Sequence, residues 1–290
     1  APPKRRELPV PPLPEADCTA EAPRLTISVA RLEQLSPALL ELGCPARVYI
    51  PLEEVSRLES LPGEGPEWCA VLPRVWRDRD EPALRTLLER ARALGFTGVL
   101  IGNLGHLPLV RGLNFHLYGD YGLNVFNSRS LAYLKDKELE SACVSFELRF
   151  AQIRDLKKVL RAEAIVYGRL PLMITENCLV QNETGCRLDR QGPCVPEDGP
   201  CRCGQPNVLV DRTGAAFPLL PAYGHRTEIQ NSKPLYLADR PEHRRLGLAY
   251  ARLRFTTETA EECVSVVQNY LDAAPAAGDF TRGLYERGVE

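Results

Sequence analysis

The sequence predicts a (β/α)8 barrel, a TIM-barrel-like fold, with a cysteine-rich insertion after the seventh strand. Eight short strand-like segments alternate with helical patterns, which is the order of elements in such a barrel. The alternation then stops for about eighty residues rich in Cys, Pro, Gly and Asn before the eighth strand-like segment. An open doubly wound sheet would give the same local pattern, and the count of eight strands favours the barrel.

The strands are predicted where β-branched or continuous apolar residues form short runs. They cover residues 25–29, 47–50, 68–72, 98–101, 115–118, 143–146, 164–167 and 249–255. Apolar residues at helical spacing predict the helices that connect them. These helices cover residues 32–42, 52–61, 81–94, 105–111, 128–138, 154–163 and 260–271.

Three regions are predicted along the chain. Residues 1–23 contain seven prolines and are expected to be a linker or an extended segment. Residues 24–273 form the barrel and include the insertion at 175–245, and residues 274–290 form a C-terminal tail. The only methionine is Met173, so we expect this sequence to be a piece of a longer chain.

Composition excludes several classes of protein. Hydrophobic residues make up 44% and charged residues 26%, which excludes wholesale disorder. With 36 Lys and Arg against 38 Asp and Glu, the net charge of −2 is not that of a sequence-independent nucleic-acid binder, although a local basic patch stays open. No apolar run has the roughly 18–20 residues of a membrane span, and no signal peptide is recognised. We therefore expect a cytoplasmic location and no membrane contact.

Five of the ten cysteines lie between residues 178 and 203. In a reducing compartment such a cluster indicates metal binding more often than disulfides. Four thiolates, or three with an imidazole, suit zinc or an iron–sulfur cluster, with oxidised pairs or free thiols as the alternative. Cys194 is expected not to be a ligand, and a role for His225 as an ordinary surface-loop residue stays open. The predicted metal ligands are Cys178, Cys186, Cys201, Cys203 and His225.

Polar residues follow the predicted strands four to seven. We predict Asp120 and Glu147 as acid/base partners and Arg169 as an anion-binding group. The predicted substrate-binding residues are Asn103, Asn124 and Asn127. Because parallel strands end at one mouth of a barrel, all of these except Asn127 are expected to face one cavity, with Arg169 paired to Asp120 or Glu147. The alternative is that such residues only form turns and helix caps.

Several motifs together resemble the collagenase-like peptidase family U32. They are residues 119–128 (GDYGLNVFNS), 167–173 (YGRLPLM), 176–178 (ENC), 211–218 (DRTGAAFP), 231–239 (NSKPLYLAD) and 280–289 (FTRGLYERGV). The similarity runs from about residue 25 to the end and is greatest to the C-terminal repeat of long members that carry two such regions. The resemblance implies that the partner of this domain is the N-terminal U32 repeat of its own chain.

The resemblance also implies a barrel with a cysteine cluster. Family members are called peptidases, but several hydroxylate RNA bases or quinones with iron–sulfur clusters. Cys178 matches the first cluster cysteine, and Cys201 and Cys203 match a later pair. Where relatives carry Gly-Cys-Arg, this chain has Gly224-His225-Arg226, which makes a three-cysteine, one-histidine zinc site an alternative. The family's peptidase signature is not intact at residues 165–171.

Three functions are therefore compatible with the sequence. The first is a metal- or iron–sulfur-binding part of an enzyme that hydroxylates RNA bases, with RNA as a further partner. The second is a metal-assisted, collagenase-like peptidase, although no HExxH motif is present. The third is a non-catalytic structural or binding repeat that supports a catalytic N-terminal half.

Overall fold

Eight parallel strands close into a barrel at the centre of the protein. The computed structural model describes residues 10–15, 17–42, 45–184 and 205–288. Each barrel strand pairs in parallel with the next, and the last returns to the first. The strands are β1 (Arg24–Ser28), β2 (Arg47–Pro51), β3 (Glu67–Val71), β4 (Gly98–Ile101), β5 (His116–Gly119), β6 (Ser141–Cys143), β7 (Arg161–Gly168) and, after five intervening strands, β13 (Tyr250–Arg254). The predicted (β/α)8 fold is confirmed.

Helices and 3-10 turns connect the barrel strands and cover their outer face. The helices are α1 (Pro37–Glu41), α2 (Glu81–Leu94), α3 (His106–Val110), α4 (Ser128–Asp136), α5 (Phe150–Asp155) and α7 (Ala260–Leu271). Local signals fix the bounds of the long ones. The α2 helix ends at Gly95, whose φ of 99° is left-handed, and α7 begins where the Thr259 hydroxyl accepts a hydrogen bond from the Glu262 N–H at 3.2 Å.

Four predicted elements differ from the structure. The sixth strand is Ser141–Cys143, not 143–146, and the predicted helix 154–163 is wrong because α5 ends at Asp155 and β7 begins at Arg161. A continuously buried strand and a buried helix give similar apolar patterns, which explains this error. The predicted helix 52–61 is a 3-10 helix, Leu52–Arg57, and 32–42 is split into Leu32–Gln34 and α1 because Pro37 interrupts it.

Between β7 and β13 the chain builds a second, antiparallel sheet of four strands. Its order is β8 (Pro171–Thr175), β11 (Arg226–Gln230), β10 (Ala216–Ala222) and β9 (Asn207–Val210). Helix α6 (Leu179–Thr184) follows β8, and the short strand β12 (Leu235–Tyr236) pairs antiparallel with β7. The chain leaves β7 at Gly168, where φ is 114° and a Cβ would lie 1.9 Å from the carbonyl oxygen of Arg254. Only glycine fits this position.

The chain segments before and after the barrel both pack against it. The N–H of Cys18 donates to the carbonyl of Lys158, and the buried Tyr285 hydroxyl donates to the carbonyl of Ile165 at 2.6 Å. Cys69, Cys143 and Cys263 are buried. Across the described ranges of the chain, no helix has the length and apolar character needed to cross a membrane.

Candidate site at the mouth of the barrel

The interior of the barrel is charged, and β13 supplies its arginines. Side chains alternate along this strand, so Tyr250, Arg252 and Arg254 face inward while Leu253 and Phe255 join the outer apolar core. At the amino-terminal end, Arg47 from β2 donates to Glu67 at 2.9 Å and to the Tyr250 hydroxyl at 3.0 Å. These contacts of Arg47 form the first layer of charged side chains, at the amino-terminal end of the barrel.

The middle layer is centred on Arg252, which is 1% exposed. Its guanidinium donates to Asp120 at 2.5 Å and to Glu163. Thr26 donates to the same Glu163 carboxylate at 2.6 Å, and Tyr49 does so at 3.2 Å. Burial disfavours the charged form of Arg252, but the two carboxylates raise its pKa well above the ordinary value, so the buried arginine stays charged.

The upper layer joins the barrel to the four-stranded sheet through Glu228 of β11. Its carboxylate accepts from Arg74, in the loop after β3, at 2.7 Å, and from Arg254 at 3.0 Å. Gln230 donates to it at 2.9 Å and Tyr121 at 3.4 Å. Burial would raise the pKa of Glu228, yet Arg254 and Arg74 hold it below the usual range, so the carboxylate is ionised.

Above these layers lies a cavity of about 430 Å³, which is lined by residues of the barrel mouth and of the sheet. Its floor includes Arg252, Arg254 and Asp120, and Arg74 stands at its side. Most of the remaining wall is apolar, with prolines from both the barrel loops and the sheet. The apolar lining includes Val29, Pro51, Leu72, Pro73, Ile174, Pro206, Pro218, Leu219 and Pro221. A mostly apolar cavity of this size with a few charged groups is the usual form of a small-molecule site.

A second cavity, of about 270 Å³, adjoins the first. Arg74 and Tyr121 line both, so these two side chains form the wall between them. The second cavity is also lined by Asn124 and Glu147. Three residues predicted from the sequence, Asp120, Asn124 and Glu147, therefore lie at the mouth, but they line two cavities rather than the single one predicted.

The other predicted residues have local structural contacts. The Asn103 amide oxygen accepts from the Gly105 N–H at 2.8 Å, and Asn127 caps α4 by accepting from the Arg129 and Ser130 N–H groups at 3.0 Å. Arg169 donates to the backbone carbonyls of Asn231, at 3.0 Å, and Ser232. The predicted ion pair of Arg169 with Asp120 or Glu147 is wrong, because Asp120 pairs with Arg252 instead. Asn103, Asn127 and Arg169 are not among the residues that line the two cavities.

Comparison with known proteins identifies the family. The model of peptidase family U32 matches residues 61–206, which is half of the chain. The chain belongs to the U32 peptidase family. This match contains Arg74, Asp120 and Glu147 of the mouth, whereas Glu228 and Arg252 lie beyond it. No curated protein matches the sequence.

The solved structures that match this chain include another U32 protein. The structure of the U32 peptidase Mk0906 is 9% identical, with a TM-score of 0.44, and the match covers 89% of this chain and 100% of that one. An octameric ribulose-1,5-bisphosphate carboxylase/oxygenase from Pyrococcus horikoshii OT3 is 10% identical, with a TM-score of 0.32, and the match covers 49% of this chain and 46% of that one.

The predicted metal ligands of this U32 domain fall into two groups. Cys186, Cys201 and Cys203, with the spare Cys194, lie outside the described residues. Cys178 and His225 are described, and the described part of the chain contains no group of three or more candidate ligands that could hold a metal. The Cys178 sulfur accepts a hydrogen bond from the Gln181 N–H at 3.4 Å and so caps the first turn of α6.

Strand pairing brings Cys178 and His225 to one end of the four-stranded sheet. Thr175, the last residue of β8, pairs with Thr227, the second residue of β11. Cys178, which follows β8, and His225, which precedes β11, therefore lie at the same end of this antiparallel pair. An ion pair between Glu176 and Arg226, at 3.0 Å, and a 3.0 Å hydrogen bond from the Leu179 N–H to Thr227 hold this end together. Asn207 at the start of β9 pairs with Leu219, the middle residue of β10. Cys178 and His225 therefore lie at the same end of the four-stranded sheet.

Sequence reasoning missed six charged residues that line the large cavity. They are Arg31, Glu53, Arg74, Glu228, Arg252 and Arg254. Glu228 and Arg252 lie on strands, whereas the predicted functional residues lie at strand ends. The alternation Tyr-Ala-Arg-Leu-Arg in β13 was the available signal, because it places two arginines on the same face as a tyrosine and opposite apolar residues.

Proposed function

We propose that this U32 domain is part of an RNA-base-hydroxylating enzyme in which a cysteine-rich metal centre lies beside the barrel-mouth cavity. One observation carries the proposal. Cys178 and His225 lie at the same end of the four-stranded sheet, and Gln205, Asn207 and Tyr223, in or beside that sheet, line the cavity. A metal held there would be adjacent to whatever the cavity binds.

The described donors suit such a centre. The Cys178 sulfur accepts a backbone hydrogen bond, as a coordinating thiolate does, and Cys178 packs against Val180, Leu219 and Ile229, which fixes its position. Cys178, Cys186, Cys201, Cys203 and His225 would hold either an iron–sulfur cluster or zinc. A cluster would supply electron transfer, and zinc in a closed three-cysteine, one-histidine set would supply stability.

The cavity has the size and charge for part of a nucleotide. Its volume lies in the range of small-molecule sites, roughly 300–1,000 Å³, and its apolar walls suit a flat base. Arginine is the side chain that most often recognises phosphate, and Arg74 is partly exposed at the side of the cavity. The further partner would be the N-terminal U32 repeat of the same chain, in the cytoplasm.

Metal analysis tests the first half of this proposal. Protein purified without oxygen would be measured for iron, sulfide and zinc, and compared with Cys178→Ser, His225→Ala and the control Cys18→Ser. Cys18 is partly buried against Val159, at the opposite flank from the sheet, so its replacement should leave metal content unchanged. Visible absorbance that is lost in Cys178→Ser supports a cluster, whereas unchanged metal in both site variants contradicts the assignment.

Two assays of the longer natural chain separate the functions. Nucleoside mass spectrometry of RNA from cells without the gene should show loss of one hydroxylated base, restored by the wild-type gene and not by the Cys178→Ser variant. Chelator-sensitive cleavage of denatured collagen by the purified chain, with no change in RNA, would favour the peptidase alternative instead. Colourless protein with zinc and neither activity would favour a structural repeat.

A further inference from the structure

Ion pairs within the protein neutralise most of the charged side chains that line the large cavity. Three arginines of the lining are joined to three carboxylates, so this network carries no net charge. Its members are Arg74, Arg252 and Arg254, with Asp120, Glu163 and Glu228. The remaining charged groups among the described residues of the lining are Arg31 and Glu53.

Arg31 and Glu53 extend from the ends of two adjacent barrel strands. Arg31 follows β1 by three residues, Glu53 follows β2 by two, and these two strands pair in parallel. Both residues are half-buried and line the cavity at the carboxyl-terminal mouth, where barrel enzymes place the groups that bind their ligands. One group is a cation and the other is a carboxylate.

Neither group has a partner of opposite charge. Within the described part of the chain, no carboxylate forms an ion pair with Arg31 and no cation forms one with Glu53. The Glu33 carboxylate near Arg31 is bound by Arg57, which also binds Glu54. The Nε of Arg31 is enclosed without an acceptor among the same residues. A buried donor without a partner is costly, so a ligand atom that accepts from it is favoured.

Arg31 and Glu53 also do not neutralise each other. No ion pair joins them, and burial and the neighbouring Glu54 raise the pKa of Glu53 with no opposing effect of Arg31. The guanidinium and the carboxylate therefore stand apart in the cavity. The same strand ends also contribute the apolar Val29 and Pro51 to the lining. This arrangement suits a ligand whose two charges are separated by an apolar segment.

We propose that the large cavity binds a zwitterion of the ω-amino-acid type, with its carboxylate against Arg31, its ammonium group against Glu53 and its carbon chain along the apolar lining. A ligand with a single charge would leave one of the two groups unpaired. An α-amino acid carries both charges on one carbon and is too short to reach both. The inference goes beyond the proposed function, because neither residue belongs to the proposed metal centre.

Three ligands of matched length test both ends of the site. 5-Aminopentanoate carries both charges, pentanoate lacks the ammonium group, and butan-1-amine lacks the carboxylate. Calorimetric titration at about pH 8 keeps every group charged, because burial raises the pKa of Glu53 only to about 7. 5-Aminopentanoate should bind roughly tenfold tighter than either analogue, since each analogue loses one contact between charged groups. Glycine, whose charges flank a single carbon, should not share this advantage.

Two variants remove one end each. Arg31→Gln should weaken the binding of 5-aminopentanoate and pentanoate roughly tenfold and leave that of butan-1-amine unchanged. Glu53→Gln should weaken the binding of 5-aminopentanoate and butan-1-amine and leave that of pentanoate unchanged. Glu54→Gln is the matched control, because Glu54 is adjacent but accepts from Arg57 at 2.6 Å. It should bind all three ligands as the wild-type protein does.

Folding and binding are separable in these variants. Since Arg31 and Glu53 form no ion pair, both variants should keep the wild-type midpoint of urea unfolding. Equal affinity of the wild-type protein for 5-aminopentanoate and its two analogues, or no binding of any of them, overturns the proposal. The same loss for all three ligands in either variant overturns the assignment of the ends. Glycine that binds as tightly as 5-aminopentanoate overturns the separation of the two charges.

Discussion

Replacement of Arg252 by methionine tests the charged interior of the barrel most directly. Methionine keeps much of the length of the side chain but removes the guanidinium that holds Asp120 and Glu163, both of which are almost fully buried. Two buried carboxylates would then lose their cation. Removal of one partner from a buried ion pair costs about 3–5 kcal/mol, so we expect a loss of this size in the free energy of unfolding.

Arg254→Met is the matched comparison, because Glu228 keeps two other partners. Arg74 donates to it at 2.7 Å and Gln230 at 2.9 Å, so no carboxylate is left unpaired. We expect a smaller loss, of about 2 kcal/mol, from the hydrogen bonds of Arg254 to charged and neutral acceptors. Urea unfolding followed by circular dichroism would measure both variants under the same conditions.

A double variant identifies the cause of the loss. Glu163→Gln removes one of the stranded carboxylates, so Arg252→Met with Glu163→Gln should lose less than the sum of the two single variants, with a coupling of about 1–3 kcal/mol. Additive losses would mean that the ion pair contributes little. Equal losses in Arg252→Met and Arg254→Met would refute the argument that unpaired carboxylates, rather than lost packing, set the cost.

Three further outcomes are expected. Thr259→Ala removes the cap of α7 and should cost about 1 kcal/mol in urea unfolding, whereas Thr259→Ser should retain most of it. Gly168→Ala should prevent native folding or expose the core to proteolysis, because its Cβ would lie 1.9 Å from the carbonyl oxygen of Arg254, and a soluble variant of native stability would contradict this. Burial lowers the pKa of His106 to about 4 from 6.5, so the stability it contributes is present above pH 6.5 and is lost as pH falls towards 4. His106→Asn should flatten that loss, which is at most about 3 kcal/mol, when unfolding is measured across this range.

The parts of the fold that the sequence predicted are those with local signals. The helix 81–94 and the helix 260–271 have the predicted bounds because a cap or a glycine marks an end of each. The strand 98–101 is also as predicted, since three buried apolar residues follow Gly98. The four-stranded sheet was not predicted, because β9 and β10 lie among prolines and glycines that indicate loops.

The candidate site was predicted only in part because its contacts are remote in sequence. Asp120 was recognised from its position after a strand, yet its partner Arg252 is 132 residues away. Glu228 of the sheet accepts a hydrogen bond from Arg74 of a barrel loop, which is 154 residues away in the sequence. No local pattern reports such pairs. Glu53 was overlooked for a different reason, since a Leu-Glu-Glu run is typical of an exposed helix and its burial depends on the sheet that covers it.

The closed barrel itself supplies a rule that could have recovered part of this network. Once eight parallel strands are predicted, the alternation in residues 250–254 requires that Arg252 and Arg254 face the interior, because Ala251 and Leu253 must meet the apolar helices. An arginine enclosed on all sides has to find a carboxylate on a nearby strand or loop end. Glu163 pairs in register with Tyr250 on the adjacent strand and is therefore the expected partner. The same reasoning means that positions 120, 163 and 252 form one unit: apolar residues at all three would preserve the barrel, whereas an apolar residue at 252 alone leaves two buried carboxylates without their cation.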